Sequence, residues 1–230
     1  MRVSLYGIGD LHLSFGADKP MDIFAGWQDY VGRLTENWQK KIRPEDTVVI
    51  AGDISWGMTM EEALEDFRFI ERLNGRKIIL KGNHDYWFST KTKVERFLTE
   101  QGIGSISILF NNAFEYGDYV ICGTRGWFNE PGSAADGKVM AREAGRLRLS
   151  LEAGKQYGKE PIVFLHYPPV GPSSCSEELV AVLQEYGVRS CYYGHLHGRA
   201  CENAVNGVRE GIYYRLISGD YVQFDPVPVA

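Results

Sequence analysis

The sequence predicts an α/β sandwich built from mixed β-sheets. Strand-like and helix-like segments alternate through the first half of the chain, whereas hairpin signals come later. The chain has 230 residues, of which 44% are hydrophobic, and this is enough to bury a core of its own. We therefore expect a single domain over residues 1–230.

Seven short runs of β-branched and apolar residues, each bounded by turn residues, predict buried strands. The runs are 3–8, 47–51, 77–81, 105–110, 119–123, 161–165 and 188–193. Within residues 204–224, Asn206-Gly207 separates two more strand-like runs, and this dipeptide is the strongest short hairpin signal. The chain is therefore expected to end in strands.

Two helices are predicted between the early strands. The first has one apolar face at helical spacing, formed by Trp27, Val31, Leu34 and Trp38. The second begins at a capping box, in which Thr59 and Glu62 satisfy each other's backbone amides. It ends at Asn74-Gly75.

Two more helices are predicted in the second half of the chain, both at the surface. A charged helix covers residues 133–155, and another follows the box Ser174-Cys-Ser-Glu177 as far as Tyr186-Gly187. The helix at 133–155 could cover a site as a lid, or its charges could belong to a solvated face.

Bulk properties argue against duplex nucleic acid and membranes as partners. The formal charge is −5 and the pI is about 5.6, so nucleic acid is expected only as a nucleotide or a short oligonucleotide. The sequence has no secretion signal and no uncharged apolar run near the ~20 residues of a membrane helix. Its four cysteines form no C-x-x-C pair. We expect a cytoplasmic protein.

Polar side chains suited to metal binding follow five of the predicted strands, at the point where each strand ends. They are Asp10, His12, Asp53, Asn83, His166, His195 and His197. The remaining histidine of the chain, His84, lies at one of these strand ends as well. Because sites in α/β folds gather at the carboxyl ends of strands, these segments are expected to meet in one cleft.

The chemistry of this set favours transition metals. It contains imidazoles, carboxylates and one amide oxygen but no thiolate, which suits Mn, Fe or Zn. If the strand ends stay extended, residues two apart project to the same side, so Asp10 with His12, and His195 with His197, could each chelate an ion. Seven ligands exceed the needs of one tetrahedral zinc and predict two divalent ions.

The order Asp-x-His, Gly-Asp, Gly-Asn-His-Asp, His and Gly-His-x-His, from Asp10 to His197, resembles the calcineurin-like metallophosphoesterase superfamily. The resemblance implies a four-layer α/β/β/α sandwich with two mixed β-sheets flanked by helices. It also implies two ligand sets that share Asp53 as a bridge. One set is Asp10, His12, Asp53 and His197, and the other is Asp53, Asn83, His166 and His195.

The sequence departs from the protein Ser/Thr phosphatases of that superfamily. Those enzymes carry Gly-Asp-x-x-Asp-Arg and Gly-Asn-His-Glu, whereas this chain has Gly52-Asp-Ile-Ser-Trp56 and Gly82-Asn-His-Asp85. The Arg of the first motif is missing. The chain length also leaves little room for the additional DNA-contacting domain of related repair nucleases. A small phosphorylated substrate is therefore expected.

The expected activity is hydrolysis of phosphomonoesters or phosphodiesters by a hydroxide that bridges the two ions. His84 is then expected to stabilise the transition state and protonate the leaving alcohol, with Asp85 orienting its imidazole. Arg125, which follows another strand, is a candidate ligand for a substrate phosphate. Alternatively, Arg125 holds a loop through carbonyls or a salt bridge.

Five aromatic residues lie close to these motifs, and either wall a substrate pocket or form core beneath the site. They are Trp56, Trp87, Phe88, Trp127 and Phe128. Two other functions remain open at this stage. One is a binding or scaffold module that keeps the fold without catalysis, and the other is a nuclease.

Overall fold

The structure is a computed structural model, which describes residues 3–128 and 137–229. Its strands are β1 (Leu5–Ile8), β2 (Thr47–Ala51), β3 (Arg76–Leu80), β4 (Ile106–Ile108), β5 (Phe114–Tyr116), β6 (Tyr119–Thr124), β7 (Glu160–Leu165), β8 (Ser190–Tyr193), β9 (Gly207–Arg209), β10 (Ile212–Leu216) and β11 (Val227–Pro228). Its α-helices are α1 (Tyr30–Lys41), α2 (Leu64–Arg72), α3 (Lys91–Glu100), α4 (Gly137–Lys155) and α5 (Glu177–Glu185). A short 3-10 helix covers Gly198–Asn203.

The strands form two mixed sheets. The first has the order β11-β1-β2-β3-β4, and only the β11–β1 pair is antiparallel. The second has the order β5-β6-β7-β8-β10-β9, with antiparallel pairs at its two edges. In both sheets the parallel strands that precede the predicted ligands lie side by side, so their carboxyl ends share one edge.

Three apolar clusters separate four layers. The outer face of the first sheet packs on α1, α2 and α3, and the outer face of the second packs on α4 and α5. Strand β2 shows the alternation clearly, because Val48 and Ile50 face the helices while Val49 and Ala51 face the other sheet. The inner faces of the two sheets meet in a third cluster that includes Phe164. The four-layer sandwich is therefore confirmed.

Two predicted helix starts are corrected. Helix α1 begins at Tyr30, so Trp27 precedes it, although Trp27 still packs in the same cluster. Helix α2 begins at Leu64 rather than at the capping box. The hydroxyl of Thr59 accepts the Glu62 N–H at 3.2 Å, but the Glu62 carboxylate accepts the Met58 N–H, one residue earlier than expected. The box therefore closes a turn that leads into the helix.

The helices later in the chain also differ from the prediction at their first residues. Helix α5 begins at Glu177 directly after Ser176, and the Ser176 hydroxyl donates to the Trp127 carbonyl instead of capping the helix. The first four residues of the helix predicted over 133–155 lie outside the described residues, and the rest is helical to Lys155. Helix α3 was not predicted, because its only fully buried apolar side chains are Val94 and Leu98.

The predicted turn at Asn206-Gly207 is wrong. The β9–β10 hairpin turns at Glu210 and Gly211, which both have positive φ, while Gly207 is the first residue of β9. Asn206 is used differently, since its side-chain oxygen accepts the Leu216 N–H at 2.9 Å. Strand β5 was also missed, because its three residues, two half-exposed and one exposed, form no apolar run. Within the described residues, the search for a helix long and apolar enough to cross a bilayer found none.

Candidate metal centre

The seven predicted ligands all lie where the carboxyl ends of the parallel strands in the two sheets come together. Asp10 and His12 follow β1, Asp53 follows β2 and Asn83 follows β3. The second sheet supplies the others, because His166 follows β7 while His195 and His197 follow β8. The structure thus brings together side chains from five segments, and each of the two sheets contributes about half of them.

The first group of potential ligands contains Asp10, His12 and His197, whose ligand atoms lie within 4.8 Å of one another. The Nε2 atoms of the two histidines are 3.3 Å apart, and His197 Nε2 is 3.3 Å from Asp10 Oδ1. Asp10 and His12 are almost fully buried, whereas the His197 side chain is 30% exposed. One face of this group is therefore open to solvent.

The second group surrounds the amide oxygen of Asn83. This oxygen lies 2.6 Å from His166 Nε2 and 2.9 Å from His195 Nδ1. Asp53 Oδ2 is 3.5 Å from His166 Nε2 and 3.7 Å from His12 Nε2, so one carboxylate oxygen adjoins both groups. Asp10 also borders both, because its ligand atom lies within 4.8 Å of those of Asp53 and His166.

The strand ends do not stay extended at four of the ligands, although the side chains converge. Asp10, His12, Asp53 and His195 have φ values of 58°, 45°, 49° and 75°. This left-handed backbone is uncommon for residues other than glycine and costs of order 1–3 kcal/mol each, so the surrounding structure must hold it. The Asp10 N–H donates to Gly52 O and the His12 N–H to Asp53 O, both at 2.9 Å.

Two glycines of the motifs are required by close approach to the carboxylates. A Cβ on Gly82 would overlap the Asp53 carboxylate, and a Cβ on Gly194 would overlap Asp10 Oδ2. The His195 N–H beside Gly194 donates to the Asp10 carboxylate at 3.0 Å. The glycines in Gly-Asn-His-Asp and Gly-His-x-His therefore make room for ligands of the neighbouring strands.

The pKa values of the two buried carboxyl groups, Asp10 and Asp53, are shifted in opposite directions. Burial and the neighbouring Asp10 charge raise the pKa of Asp53 to about 8. Burial also opposes ionisation of Asp10, but His197, His166 and His12 hold the pKa of that carboxyl well below its usual range. Of the two carboxyls, Asp10 therefore ionises more readily than Asp53. Binding of a divalent cation would favour the ionised form of both.

The imidazoles are mostly neutral, as metal ligands must be. Burial lowers the pKa of His12 and of His195 to about 3. Burial lowers the pKa of His197 too, but the Asp10 and Asp220 carboxylates outweigh it and raise this pKa to about 10. The donor set thus combines imidazoles, buried carboxylates and an amide oxygen, which fits divalent transition-metal ions.

Asp220 supports the centre and was missed by the sequence analysis. The Nδ1–H of His197 donates to Asp220 Oδ1, and the Gly198 N–H donates to Oδ2, both at 2.9 Å. This arrangement leaves Nε2 of His197 directed at Asp10. A signal was present, because Gly219-Asp220 closely follows β10 and repeats the Gly-Asp pattern seen after β2. His166 is oriented similarly, by a contact of 3.1 Å between its Nδ1 and Ala51 O.

The expected hydrogen bond between Asp85 and His84 is not formed. Asp85 is buried, and one of its oxygens accepts the N–H groups of Ile54 and Ser55 and the indole N–H of Trp87, at 2.8–3.2 Å. Its other oxygen accepts the Gly82 N–H at 2.7 Å. Asp85 therefore ties the loops after β2 and β3 to each other.

His84 lies against the first group of potential ligands. Its backbone N–H donates to Asp53 Oδ1 at 2.8 Å, and its ring is 4.5 Å from that of Trp56 and 5.7 Å from that of His12. Its Nδ1 is buried and has no hydrogen-bond partner among residues 3–128 and 137–229. Burial lowers the pKa of His84.

Arg125 lies beside the second group but is engaged with the protein. Its guanidinium is 3.5 Å from Glu143 Oε1 and packs over the Trp127 ring at 5.2 Å. Its carbonyl accepts the N–H groups of His166 and Tyr167 at 3.0 and 2.9 Å. These contacts agree with the alternative role of holding a loop, and its side chain also lines a cavity.

An apolar pocket of about 400 Å³ adjoins the first group. His12, His84 and His197 form its floor. Its apolar walls are Met21, Phe24, Ala25, Trp27 and Trp56. Of the five predicted aromatic residues only Trp56 lines this pocket, because Trp87 and Phe88 belong to the core beneath the first sheet and Trp127 packs on the second cluster. The residues from Met21 to Trp27 were missed because they carry no motif.

Known proteins are similar to this chain in sequence. The family model for calcineurin-like phosphoesterases matches residues 3–199. Gene 66 protein of Mycobacterium phage D29 is 25% identical over 202 residues, which cover 87% of this chain and 82% of that protein. The range that the family model matches includes all seven potential metal ligands.

Solved structures show the same fold at low identity. Phosphopantetheinyl hydrolase from Mycobacterium tuberculosis superposes with a TM-score of 0.59 at 12% identity, over 98% of this chain and 95% of that one. A protein of unknown function from Aquifex aeolicus gives a TM-score of 0.54 at 18% identity, over 99% and 96% of the two chains. Because the family model spans most of the sequence and the fold agrees, the chain belongs to the calcineurin-like phosphoesterase family.

Proposed function

We propose that this protein hydrolyses phosphate esters with two divalent transition-metal ions, either Mn, Fe or Zn, held by the two ligand groups. The proposal rests on one observation above all, namely that Asp53 Oδ2 lies within 3.7 Å of imidazole nitrogens in both groups. A carboxylate in that position is suited to bridging two ions. When bound, such ions lower the pKa of water and polarise the phosphoryl oxygens.

Different residues of the chain would then bind each ion and orient its ligands. Asp10, His12 and His197 would hold one ion and Asn83, His166 and His195 the other, with Asp53 shared. Asp220 and the Ala51 carbonyl fix the ring orientations of His197 and His166. Such outer partners matter because they determine which ring nitrogen is free to bind a metal.

His84 is the proposed proton donor to the leaving alcohol. Its ring lines the apolar pocket beside the first group, and its backbone is fixed by Asp53. Since Asp85 is used elsewhere, the packing of Trp56 against the ring orients His84 instead. A positioned acid of this kind contributes about 10²–10⁴-fold to rate.

The apolar pocket would receive the organic part of a small phosphorylated substrate. Its walls are carbon-rich, and Phe24 is 53% exposed at the rim, so a substituent with apolar or aromatic surface would gain burial there. A concave pocket of about 400 Å³ has room for a small organic group but not for the surface of a folded protein. The expected substrate is therefore a small ester.

The test compares hydrolysis of p-nitrophenyl phosphate and bis-p-nitrophenyl phosphate by chelator-stripped protein refilled with Mn, Zn, Fe or Mg. We expect a transition metal to restore turnover in the wild type and in Asp118→Asn, a matched control at an exposed turn, but not in Asp53→Asn. The better ester identifies monoester or diester preference. Stoichiometric metal binding without turnover would instead favour a binding module, and preferential cleavage of single-stranded oligonucleotides would favour a nuclease.

A further inference from the structure

A second cavity, of about 230 Å³, lies at the same edge of the sheets as the metal centre. It is formed by the ends of β3, β4 and β6 and by one face of α4. Four basic side chains line it, namely Lys81, Arg125, Arg142 and Arg146. The cavity shares none of its lining residues with the apolar pocket.

Positive charge in this cavity exceeds negative charge. The buried Glu143 carboxylate lies beneath three guanidinium groups, with Oε1 at 3.5 Å from Arg125, 3.6 Å from Arg142 and 2.7 Å from Arg146. With Lys81 included, four formal positive charges surround one negative charge, which leaves a formal excess of three.

These basic groups retain capacity to bind a ligand. Arg125 Nε is buried and has no hydrogen-bond partner within the part of the chain that the structure describes. Arg142 is 52% exposed, and its one described ion pair is the 3.6 Å contact with Glu143. Guanidinium groups present forked N–H donors that match the geometry of phosphate oxygens. The cavity therefore combines one buried donor that lacks a partner, Arg125 Nε, with an exposed guanidinium group, that of Arg142.

The cavity is connected to the second ligand group through neighbouring residues. Lys81 immediately precedes Gly82 and Asn83 in the chain. The Arg125 carbonyl binds the backbone of Tyr167, whose ring lies 4.1 Å from that of His195. The apolar pocket adjoins the first group and the cationic cavity adjoins the second, so the two flank the metal centre.

We propose that the cationic cavity binds a phosphate-like oxyanion, distinct from the phosphoryl group that would react at the metal centre. Arg125, Arg142, Arg146 and Lys81 supply its donors, and Glu143 holds the guanidinium groups in place. The oxyanion is either a second phosphate carried by the substrate or a free phosphate. The two sources share their chemistry and differ in whether the ligand is tethered to the reacting ester.

Binding is tested first by calorimetric titration of inorganic phosphate into the full chain, both metal-loaded and chelator-stripped. The stripped protein separates the cavity from the centre, because the cavity needs no metal. We expect one phosphate to bind to the stripped chain and Arg142→Gln to weaken this binding about tenfold, as loss of one charge-assisted contact implies. Arg148→Gln is the matched control, since Arg148 lies on the same helix but pairs with Glu185.

A second variant distinguishes a specific change in phosphate affinity from a loss of the fold. Glu143→Gln keeps a side-chain oxygen that can accept from the guanidinium groups and hold them in place, but it removes the negative charge that offsets the cations. It is therefore expected to tighten phosphate binding where Arg142→Gln weakens it. The proposal is overturned if the wild type binds no phosphate in the stripped form. It is equally overturned if Arg142→Gln binds as well as the wild type, or if Arg148→Gln weakens binding as much as Arg142→Gln does.

The source of the oxyanion is tested with alkanediol bisphosphates and alkyl monophosphates of matched chain length. A substrate-borne phosphate predicts a KM about tenfold lower for the bisphosphate in the wild type and in Arg148→Gln, with the preference lost in Arg142→Gln. Equal KM values together with calorimetric binding identify free phosphate as the ligand. If neither these esters nor the p-nitrophenyl esters are hydrolysed, the proposed function fails while calorimetry still decides whether the cavity binds phosphate.

Discussion

Asp220 illustrates how residues outside the recognised motifs determine the state of a ligand. It accepts hydrogen bonds from His197 Nδ1 and from Gly198, and so leaves Nε2 of His197 to face Asp10. We expect Asp220→Ala to lower metal affinity by about 10–100-fold, as loss of an orienting partner typically does. Competition with a calibrated chelator measures this. Asp225→Ala removes an exposed carboxylate nearby, and an equal loss in that variant would contradict the assignment.

His84 allows a test that separates catalysis from structure. We expect His84→Ala to lower kcat by about 10²–10⁴-fold while both ions remain bound, because the ring is proposed to donate a proton and not to bind metal. The loss should be smaller with p-nitrophenyl phosphate than with an alkyl phosphate, since nitrophenolate leaves without needing a proton. Loss of the metals, or an equal effect on both esters, would contradict a proton-donor role.

The site residues differ in how far the sequence reveals them. Asp53 and His166 were predictable because each directly follows a buried apolar run, and such runs are strands whose ends converge. The hydrogen-bond donors to Asp85 were not predictable, because Ile54 and Trp87 reach its carboxylate only once two loops have packed together. Likewise, the left-handed backbone of Asp10 depends on a hydrogen bond to the neighbouring strand end.

At the scale of elements, α2 is tied to the loops near the centre through Asp66. This buried carboxylate accepts the Phe15 N–H at 2.8 Å and the hydroxyl of Ser55. Burial raises the pKa of Asp66 from 3.8 to about 6. The folded chain therefore holds a proton that the unfolded chain has released, and the stability from this group is present below about pH 4 and lost as the pH rises to about 6.

Asp66→Asn should remove this pH dependence, because an amide keeps the acceptor and cannot ionise. We expect the unfolding free energy of the variant, relative to wild type, to increase between pH 4 and pH 6 by at most about 3 kcal/mol and then to stay constant. Urea unfolding at four pH values measures it. Asp118→Asn, at an exposed turn, should track the wild type. Parallel curves for Asp66→Asn and wild type would show that the carboxyl titrates normally.

Prediction succeeded best for elements with two buried faces. Strand β2 was predicted at its observed bounds, because all five of its residues are apolar or β-branched and all are buried. Helix α3 and strand β5 were missed because each buries little. The hairpin turn was misplaced because Asn206 bonds to Leu216 across the sheet, a long-range contact that outweighs local turn preference.

At the scale of the whole molecule, the centre joins the two sheets. Asp10, Asp53 and Asn83 come from the first sheet, whereas His166 and His195 come from the second. Bound ions would therefore link two layers that otherwise meet mainly through apolar packing. Ions that bind only the folded chain should stabilise it as a unit.

Chelation should accordingly lower the Tm of the wild type in one cooperative transition. At a metal concentration one hundred times the Kd, the lost stabilisation is about 2.7 kcal/mol per site. Calorimetric scans with and without chelator measure it, and Asp53→Asn should show little response to either metal or chelator. A separate early transition upon chelation would mean that the two sheets unfold independently.

The left-handed backbone at Asp10, His12, Asp53 and His195 has a consequence for how the centre acquires its ions. Folding itself imposes these conformations, through hydrogen bonds that need no metal. The ligand atoms are thus preorganised, and an arriving ion meets a rigid receptor rather than a loop that must still be ordered. The rate of metal uptake should then be limited by dehydration of the ion and not by motion of the chain.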